Sequence, residues 1–312
     1  MSDVDRRPTH ADIEAAAVRI RGKVRRTPVF EVHGDELGVP GRVVLKLELT
    51  QHTGSFKARG ALNSVLSLPD GVRGVTAASG GNHGAALAWA ASRMGLSSDV
   101  FVSAASPTEK VDRIRGFGAT AHVIEGFYPE AFAAADAWAQ GRDVTSVHAF
   151  DAATTVCGQG TLGLEIAEQV PEAARVLVAC GGGGLYAGVA TALRGHVPVT
   201  PVEPDRCASL TAALAAGERV SVEVGGVAAD SLGAATAGRY AFAVASDLGA
   251  EPVTVTDDEI VAARRWLWER CRVLAEPGAA APVAALMTGA VPVHPGDTVV
   301  AVVSGGNNPA IP

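Results

Sequence analysis

The chain is poor in lysine: only four occur, at positions 23, 46, 57 and 110, within a total of 26 lysines and arginines. Arginine therefore meets nearly all the surface need for cations, and each lysine invites a chemical reading. Cysteine is equally sparse. Cys157, Cys180, Cys207 and Cys271 are widely spread, with no C-x-x-C pair and no H-E-x-x-H helix. That excludes the common zinc patterns and leaves reduced core thiols of a cytoplasmic protein as the expectation. Positive charge is in deficit, with a formal net charge of -7 and a pI of about 5.6. A field broad enough to hold a nucleic-acid backbone is excluded, although local anion sites are not. The opening residues Asp3, Asp5, Arg6 and Arg7 lack the apolar run of a secretory leader. Val176 to Leu193 carries no charge, but Gly181 to Gly184 interrupt it. Four glycines penalise a helix heavily, so this stretch reads as a buried strand and a loop, not a membrane span.

What is present is a regular alternation. Thr9 to Arg21 reads as a capped helix, Val43 to Leu47 and Val75 to Ala78 as strands, and an alanine-rich helix closes at Gly95. Val100 to Ser103, Pro107 to Phe117 and Ala121 to Ile124 repeat the unit as strand, helix and strand. Val176 to Cys180 is a strand entering the tetraglycine loop, with a helix beginning near Tyr186. Thr256 and Glu259 make a capping box for a helix through Arg272, and Val299 to Val303 is the last strand. Strands alternating with helices predict an α/β fold with mostly parallel sheets. No long low-complexity linker separates domains, so any second domain is interwoven with the first.

Four constellations carry chemistry. In Thr53-Gly54-Ser55-Phe56-Lys57-Ala58-Arg59-Gly60, Gly54 permits a sharp turn and Lys57 stands between an aromatic ring and small residues. A partly desolvated lysine amine there can form a Schiff base, although the octapeptide alone is also compatible with a solvated lysine at a helix start. Gly181-Gly182-Gly183-Gly184-Leu185 joins a buried strand to a helix. Its converging N–H groups and the helix N-terminus suit a phosphate dianion; it is neither a G-x-G-x-x-G fingerprint nor a P-loop. Ser79-Gly80-Gly81-Asn82-His83-Gly84 follows another strand, where backbone N–H groups can hold a carboxylate and the Asn82 amide can donate to a phenolate-type oxygen. Ser304-Gly305-Gly306-Asn307 ends the last strand, where open α/β sheets place ligand groups.

Taken together these motifs resemble the fold-type II family of pyridoxal-phosphate (PLP) enzymes, in its serine/threonine dehydratase and serine racemase branch. The matching pieces run in the family's order: Thr27-Pro28, Lys46-Leu47-Glu48, Thr53 to Gly60, Ser79 to Gly84, Gly158-Gln159-Gly160-Thr161, Gly181 to Leu185, Val202-Glu203-Pro204, Glu276-Pro277-Gly278-Ala279, and Ser304 to Asn307. The resemblance implies a tryptophan-synthase-β-like α/β fold of two interwoven domains, each with a mostly parallel sheet covered by helices. Residues 1–47 and 148–312 would form the large PLP-binding domain, and 48–147 a small mobile domain. It implies pyridoxal 5'-phosphate joined to Lys57 as a Schiff base, with Phe56 against the pyridine ring and Asn82 on its phenolic oxygen. Gly181, Gly182, Gly183 and Gly184, with Leu185, would cradle the phosphate, and Ser304 would face the ring nitrogen. Ser79, Gly80, Asn82 and His83 would line the substrate carboxylate pocket.

The implied activity is loss of the hydroxyl from a β-hydroxy amino acid such as threonine or serine, giving a 2-oxo acid and ammonia, with Lys57 as both anchor and base. A neutral serine hydroxyl at the ring nitrogen leaves the pyridine unprotonated, which favours prompt loss of the β-hydroxyl over transamination. Family likeness also implies a homodimer. Two departures bear on the alternatives. Gly80 stands where the family's racemases carry a serine as second base, which disfavours racemisation. Glu203 keeps the glutamate of the family's divalent-cation site, but Ser209 stands where a second carboxylate is expected, which argues against a metal. Ending at Pro312, the chain is also expected to lack an end-product regulatory domain. A serine racemase, a lyase for another β-substituted amino acid such as hydroxyaspartate or a phenylserine, and a non-catalytic ligand-binding relative are the competing readings.

Overall fold

The computed structural model describes residues 6–308 and 310; Asp3, Asp5 and Pro312 lie outside them. Local chemistry starts the helices where the sequence predicts. Thr9 and Asp12 exchange side chain to backbone hydrogen bonds over the helix His10–Ile20, and Thr256 and Glu259 do the same for Asp257–Cys271. Among the described residues ten strands follow in order: β1 Val29–His33, β2 Arg42–Lys46, β3 Gly74–Ala78, β4 Ser97–Ser103, β5 Thr120–Ile124, β6 Val144–Ser146, β7 Ala173–Ala179, β8 Val199–Pro204, β9 Val253–Val255 and β10 Thr298–Val302.

They form two sheets, one ordered β1-β2-β10-β7-β8-β9 and the other β5-β4-β3-β6. Every pairing is parallel except that of β1 with β2. The central strands β3 and β10 are buried at all five positions, as parallel strands covered on both faces must be. In the larger sheet the chain runs outward from β7 through β8 to β9, and then β10 returns to the other side of β7. That reversal opens a crevice at the C-terminal ends of β7 and β10, where α/β sheets bind ligands. The tetraglycine loop and Ser304 sit on those ends.

The charge-free stretch Val176 to Leu193 divides into the end of β7, the glycine loop and the nine-residue helix Gly184–Ala192. Among the described residues no helix is long and apolar enough to cross a membrane. The helix begins at Gly184, two residues before the expected start near Tyr186, because Gly183 in the left-handed region (φ 78°) supplies the turn.

A buried ionic cluster locks the helix Lys57–Leu66 in place. Arg59 donates to both oxygens of Glu48 at 2.8 Å and to Glu165 at 2.7 Å. Lys46 donates to Glu165 at 2.8 Å, to the Thr27 carbonyl at 2.8 Å and to Gln169, and the Thr27 hydroxyl donates to Glu48. Lys46, Glu48 and Arg59 are all fully buried. Three of the short motifs thus meet at one point, against the helix Ala153–Gln169. Gly158 and Gly160 let that helix approach its neighbours: a Cβ at Gly158 would stand 2.6 Å from the Arg59 carbonyl, and one at Gly160 2.9 Å from that of Gly188.

Candidate active site

Lys57 reaches the crevice through a strained turn. Thr53 (φ 60°) and Gly54 (φ 69°) reverse the chain, the Phe56 N–H donates to the Ser304 carbonyl at 3.0 Å, and Ser55 bridges Gly305. The lysine is thereby pinned beside the end of β10. Both border a cavity of about 880 Å³. Phe56, Lys57, the Ser79–His83 loop, Gly181 through Leu185 and Ser304 all line it, so the structure brings together the residues expected to serve cofactor and substrate, while Glu203 lies elsewhere.

The Lys57 amine donates to the Ala149 carbonyl at 2.9 Å and lies 5.0 Å from the centroid of the Phe56 ring. Burial lowers its pKa from 10.5 to about 8, against the opposing charge of Glu276. A substantial neutral fraction near physiological pH is what imine formation requires. The depression also has a cost in stability. Below about pH 8 the amine is charged in both folded and unfolded chains, and the folded chain bears the full burial penalty. As pH rises toward 10.5 the folded amine is neutral while the unfolded one still holds its proton, so the penalty fades. Replacing Lys57 with methionine should therefore stabilise the cofactor-free protein by roughly 3 kcal/mol at neutral pH, at about 1.4 kcal/mol per pH unit, and the gain should vanish toward pH 10.5. Urea unfolding at several pH values measures this.

The tetraglycine loop is built as a cradle. Among the described residues no acceptor meets the N–H groups of Gly182, Gly183, Gly184 or Leu185, which converge at the N-terminus of Gly184–Ala192. Such a set of unpaired donors matches a phosphate dianion. The loop tolerates no side chain, since a Cβ on Gly182 would lie 2.4 Å from the Phe150 ring and one on Gly183 2.3 Å from Ala241 Cβ. Gly182→Ala should displace the loop and weaken cofactor retention by about tenfold or more, read as the Kd of a cofactor titration of stripped protein.

Opposite, the helix Asn82–Arg93 presents unpaired N–H groups at Asn82, His83 and Gly84, while Ser79 Oγ accepts from the Gly81 N–H at 3.3 Å. This second N-terminus suits a carboxylate. The His83 ring is packed into the wall: Nε2 donates to the Val147 carbonyl at 2.8 Å, Nδ1 has no partner, and burial holds its pKa down at about 3. The ring is neutral, and the loop's backbone is what faces an anion. Asn82 Nδ2 donates to Glu276 at 2.8 and 3.0 Å, and Asn82 Oδ1 accepts from Asn307 Nδ2 at 2.6 Å. Burial raises the Glu276 carboxyl above its ordinary range, against the hydrogen bonds from Asn82 and Asn307. An amide nitrogen carries two hydrogens, so one held by Glu276 leaves the other for a ligand oxygen.

Sequence reasoning assigned no role to Glu276 or to His148, which also lines the cavity. Glu276 lies 194 residues from Asn82; its one local signal is a carboxylate directly before the proline that starts the helix Pro277–Met287. Glu203, the candidate cation ligand, has another task. Its carboxylate accepts from the Leu210 and Thr211 N–H groups, each at 2.8 Å, and from the Thr211 hydroxyl at 2.6 Å. The side chain caps the helix Ser209–Ala216, and Ser209 itself donates to the Gly181 carbonyl at 3.5 Å. Among the described residues no cluster of three metal-ligating side chains occurs.

Comparison with known proteins agrees with this geometry. Residues 20–305 match the profile of the pyridoxal-phosphate dependent enzyme family. An L-threonine ammonia-lyase of Geobacter sulfurreducens is 39% identical over 302 residues, covering 95% of this chain and 74% of that protein. The catabolic L-threonine dehydratase TdcB of Staphylococcus aureus is 33% identical, covering 95% and 88%. Among solved structures, a threonine deaminase of T.th. aligns with a TM-score of 0.90 at 31% identity over 98% of this chain and 100% of that one. Maize serine racemase aligns with a TM-score of 0.90 at 29% identity over 97% and 94%. The two parallel-dominated sheets are those of the tryptophan-synthase-β-like fold type II. With the profile matched across nearly the whole chain and Lys57, the tetraglycine loop and the Ser79–His83 loop around one cavity, this chain belongs to the pyridoxal-phosphate dependent enzyme family.

Proposed function

We propose that the protein is a PLP-dependent ammonia-lyase of the threonine/serine dehydratase type, eliminating the hydroxyl of a small β-hydroxy amino acid to give a 2-oxo acid and ammonia. One observation carries the reading: an amine with a pKa of about 8 and an unpaired N–H cradle for phosphate border the same cavity. Pyridoxal phosphate, when bound, supplies the electron sink that acidifies the substrate α-proton. Lys57 would hold that group through its ε-nitrogen, and its amine is the base placed to take the substrate α-proton. The N–H groups of Gly182 to Leu185 would bind its phosphate, Ser304 and Asn82 would serve its ring, and the Ser79–His83 loop would orient the substrate carboxylate. Residues 48–147 act as the small mobile domain, closing on the large domain of residues 1–47 and 148–312 to exclude water. The reading extends to a homodimer in the cytoplasm, and the free thiols of all four cysteines suit a reducing compartment.

Racemisation is the weaker reading on a specific ground. A Cβ at Gly80 would lie 2.5 Å from Ser106 Oγ and 2.9 Å from Val102 Cγ1, so a serine serving as second base has no ready space. Incubation of the purified protein with L-serine and with L-threonine decides between the two. The 2-oxo acid with ammonia is the expected product, and D-serine alone would overturn the assignment.

A further inference from the structure

Elimination needs a second polar group besides the base, because hydroxide is a poor leaving group. His148 and Ala149 line the cavity, and the backbone on either side of His148 holds two residues of the site: the Val147 carbonyl accepts from His83, and the Ala149 carbonyl accepts from the Lys57 amine. His148 stands between them. Its Nδ1 accepts from the backbone N–H groups of Phe150 at 3.3 Å and Asp151 at 3.0 Å, and its own carbonyl accepts from Thr155 Oγ1 at 3.0 Å. The ring is wedged edge-on against Phe150, with centroids 4.6 Å apart and planes at 88°. Two donors on Nδ1 leave that nitrogen no proton, so the neutral ring carries its hydrogen on Nε2. Among the described residues nothing accepts from Nε2, while the ring lines the cavity.

We propose that His148, as a neutral imidazole, donates the hydrogen bond from Nε2 to the departing β-oxygen of the substrate. The inference rests on the dehydratase reading and adds a residue to it. Burial keeps the ring neutral by pushing its pKa below the ordinary histidine value; Asp151 opposes this, and Lys57 and Arg239 reinforce it. A neutral imidazole N–H can act as an electrophile without giving up its proton. In the net step the Cα–H bond breaks toward the Lys57 amine, and its electron pair becomes the Cα–Cβ double bond. The Cβ–O bond breaks with its pair on oxygen, and the proton carried by Lys57 balances the hydroxide, so water leaves. His148 disperses charge on that oxygen as it forms, and no further proton source is needed.

The test compares L-serine with β-chloro-L-alanine, whose chloride departs without protonation. His148→Phe should lower kcat for serine by about 10²–10³-fold, the usual loss for one preorganised donor, and leave kcat for β-chloroalanine nearly unchanged. His148→Gln, which restores an amide N–H, should recover part of the loss. An equal fall on both substrates, or none on serine, would overturn the proposal. Imidazole ¹⁵N NMR of the wild-type chain gives a reading independent of turnover and of any variant's folding. A neutral Nε2–H tautomer for His148 near neutral pH is expected, and an Nδ1–H tautomer or an imidazolium would contradict it. A wild-type protein that turns over neither substrate would instead strike at the dehydratase reading itself.

Discussion

Lys57→Ala is expected to abolish the imine absorption band of the loaded protein and to lower kcat by more than about 10³-fold, at the upper end of what one acid–base group supplies. Two functions are lost together. On the proposed reading the amine would both anchor the cofactor and take the substrate α-proton. Neither cavity histidine is suited to replace it: His83 is held neutral with a pKa of about 3, and Nδ1 of His148 already accepts from two backbone donors. Lys46, close in sequence, is tied into the buried cluster beneath the helix. The phosphate cradle does not depend on Lys57, so the variant should still bind cofactor noncovalently, with the spectrum of the free aldehyde. Absorbance spectra and product assays measure both effects.

Glu48→Ala is expected to destabilise the protein by about 3–5 kcal/mol, the usual consequence of removing one member of a buried ion pair. Glu48 and Arg59 are fully buried and joined by two hydrogen bonds of 2.8 Å. Without Glu48, the Arg59 guanidinium keeps only part of its compensation from Glu165, and the Thr27 hydroxyl loses its acceptor. Replacing Glu48 and Arg59 together with methionine should recover most of the loss, since an apolar pair leaves no unpaired charge. The urea midpoint at unchanged m reports both results. Arg59 lies two residues beyond Lys57 in one helix, so Glu48→Ala should also loosen cofactor retention.

Much of the fold is legible because buried parallel strands write themselves as short apolar runs. The runs through Val75, Val100, Val176 and Val299 overlap β3, β4, β7 and β10, with ends that differ by no more than about three residues, as strand boundaries usually do. The remainder lacks that signal. In β1 only Val32 is buried, and β6 and β9 have three residues each, too few for a period to declare itself. The helix Ala153–Gln169 is concealed by Gly158, Gly160 and Gly163, which serve close packing at the expense of helix propensity.

The site divides in the same way. Lys57, the tetraglycine loop and Ser304 carry their chemistry locally, in a residue type or a run of glycines. Glu276 and His148 act through distant or backbone partners, Asn82 for the one and the Phe150 and Asp151 N–H groups for the other. Tertiary packing alone brings such groups together. Glu203 is the reverse case, a residue carried over as a possible cation ligand whose carboxylate the fold uses to cap a helix.

The central claim is the covalent link at Lys57. Borohydride reduction of the cofactor-loaded protein, followed by digestion and peptide mass mapping, tests it most directly. The account predicts a pyridoxyl-phosphate mass on the peptide containing Lys57 and on no other; a label on Lys23, Lys46 or Lys110, or no label at all, would contradict it.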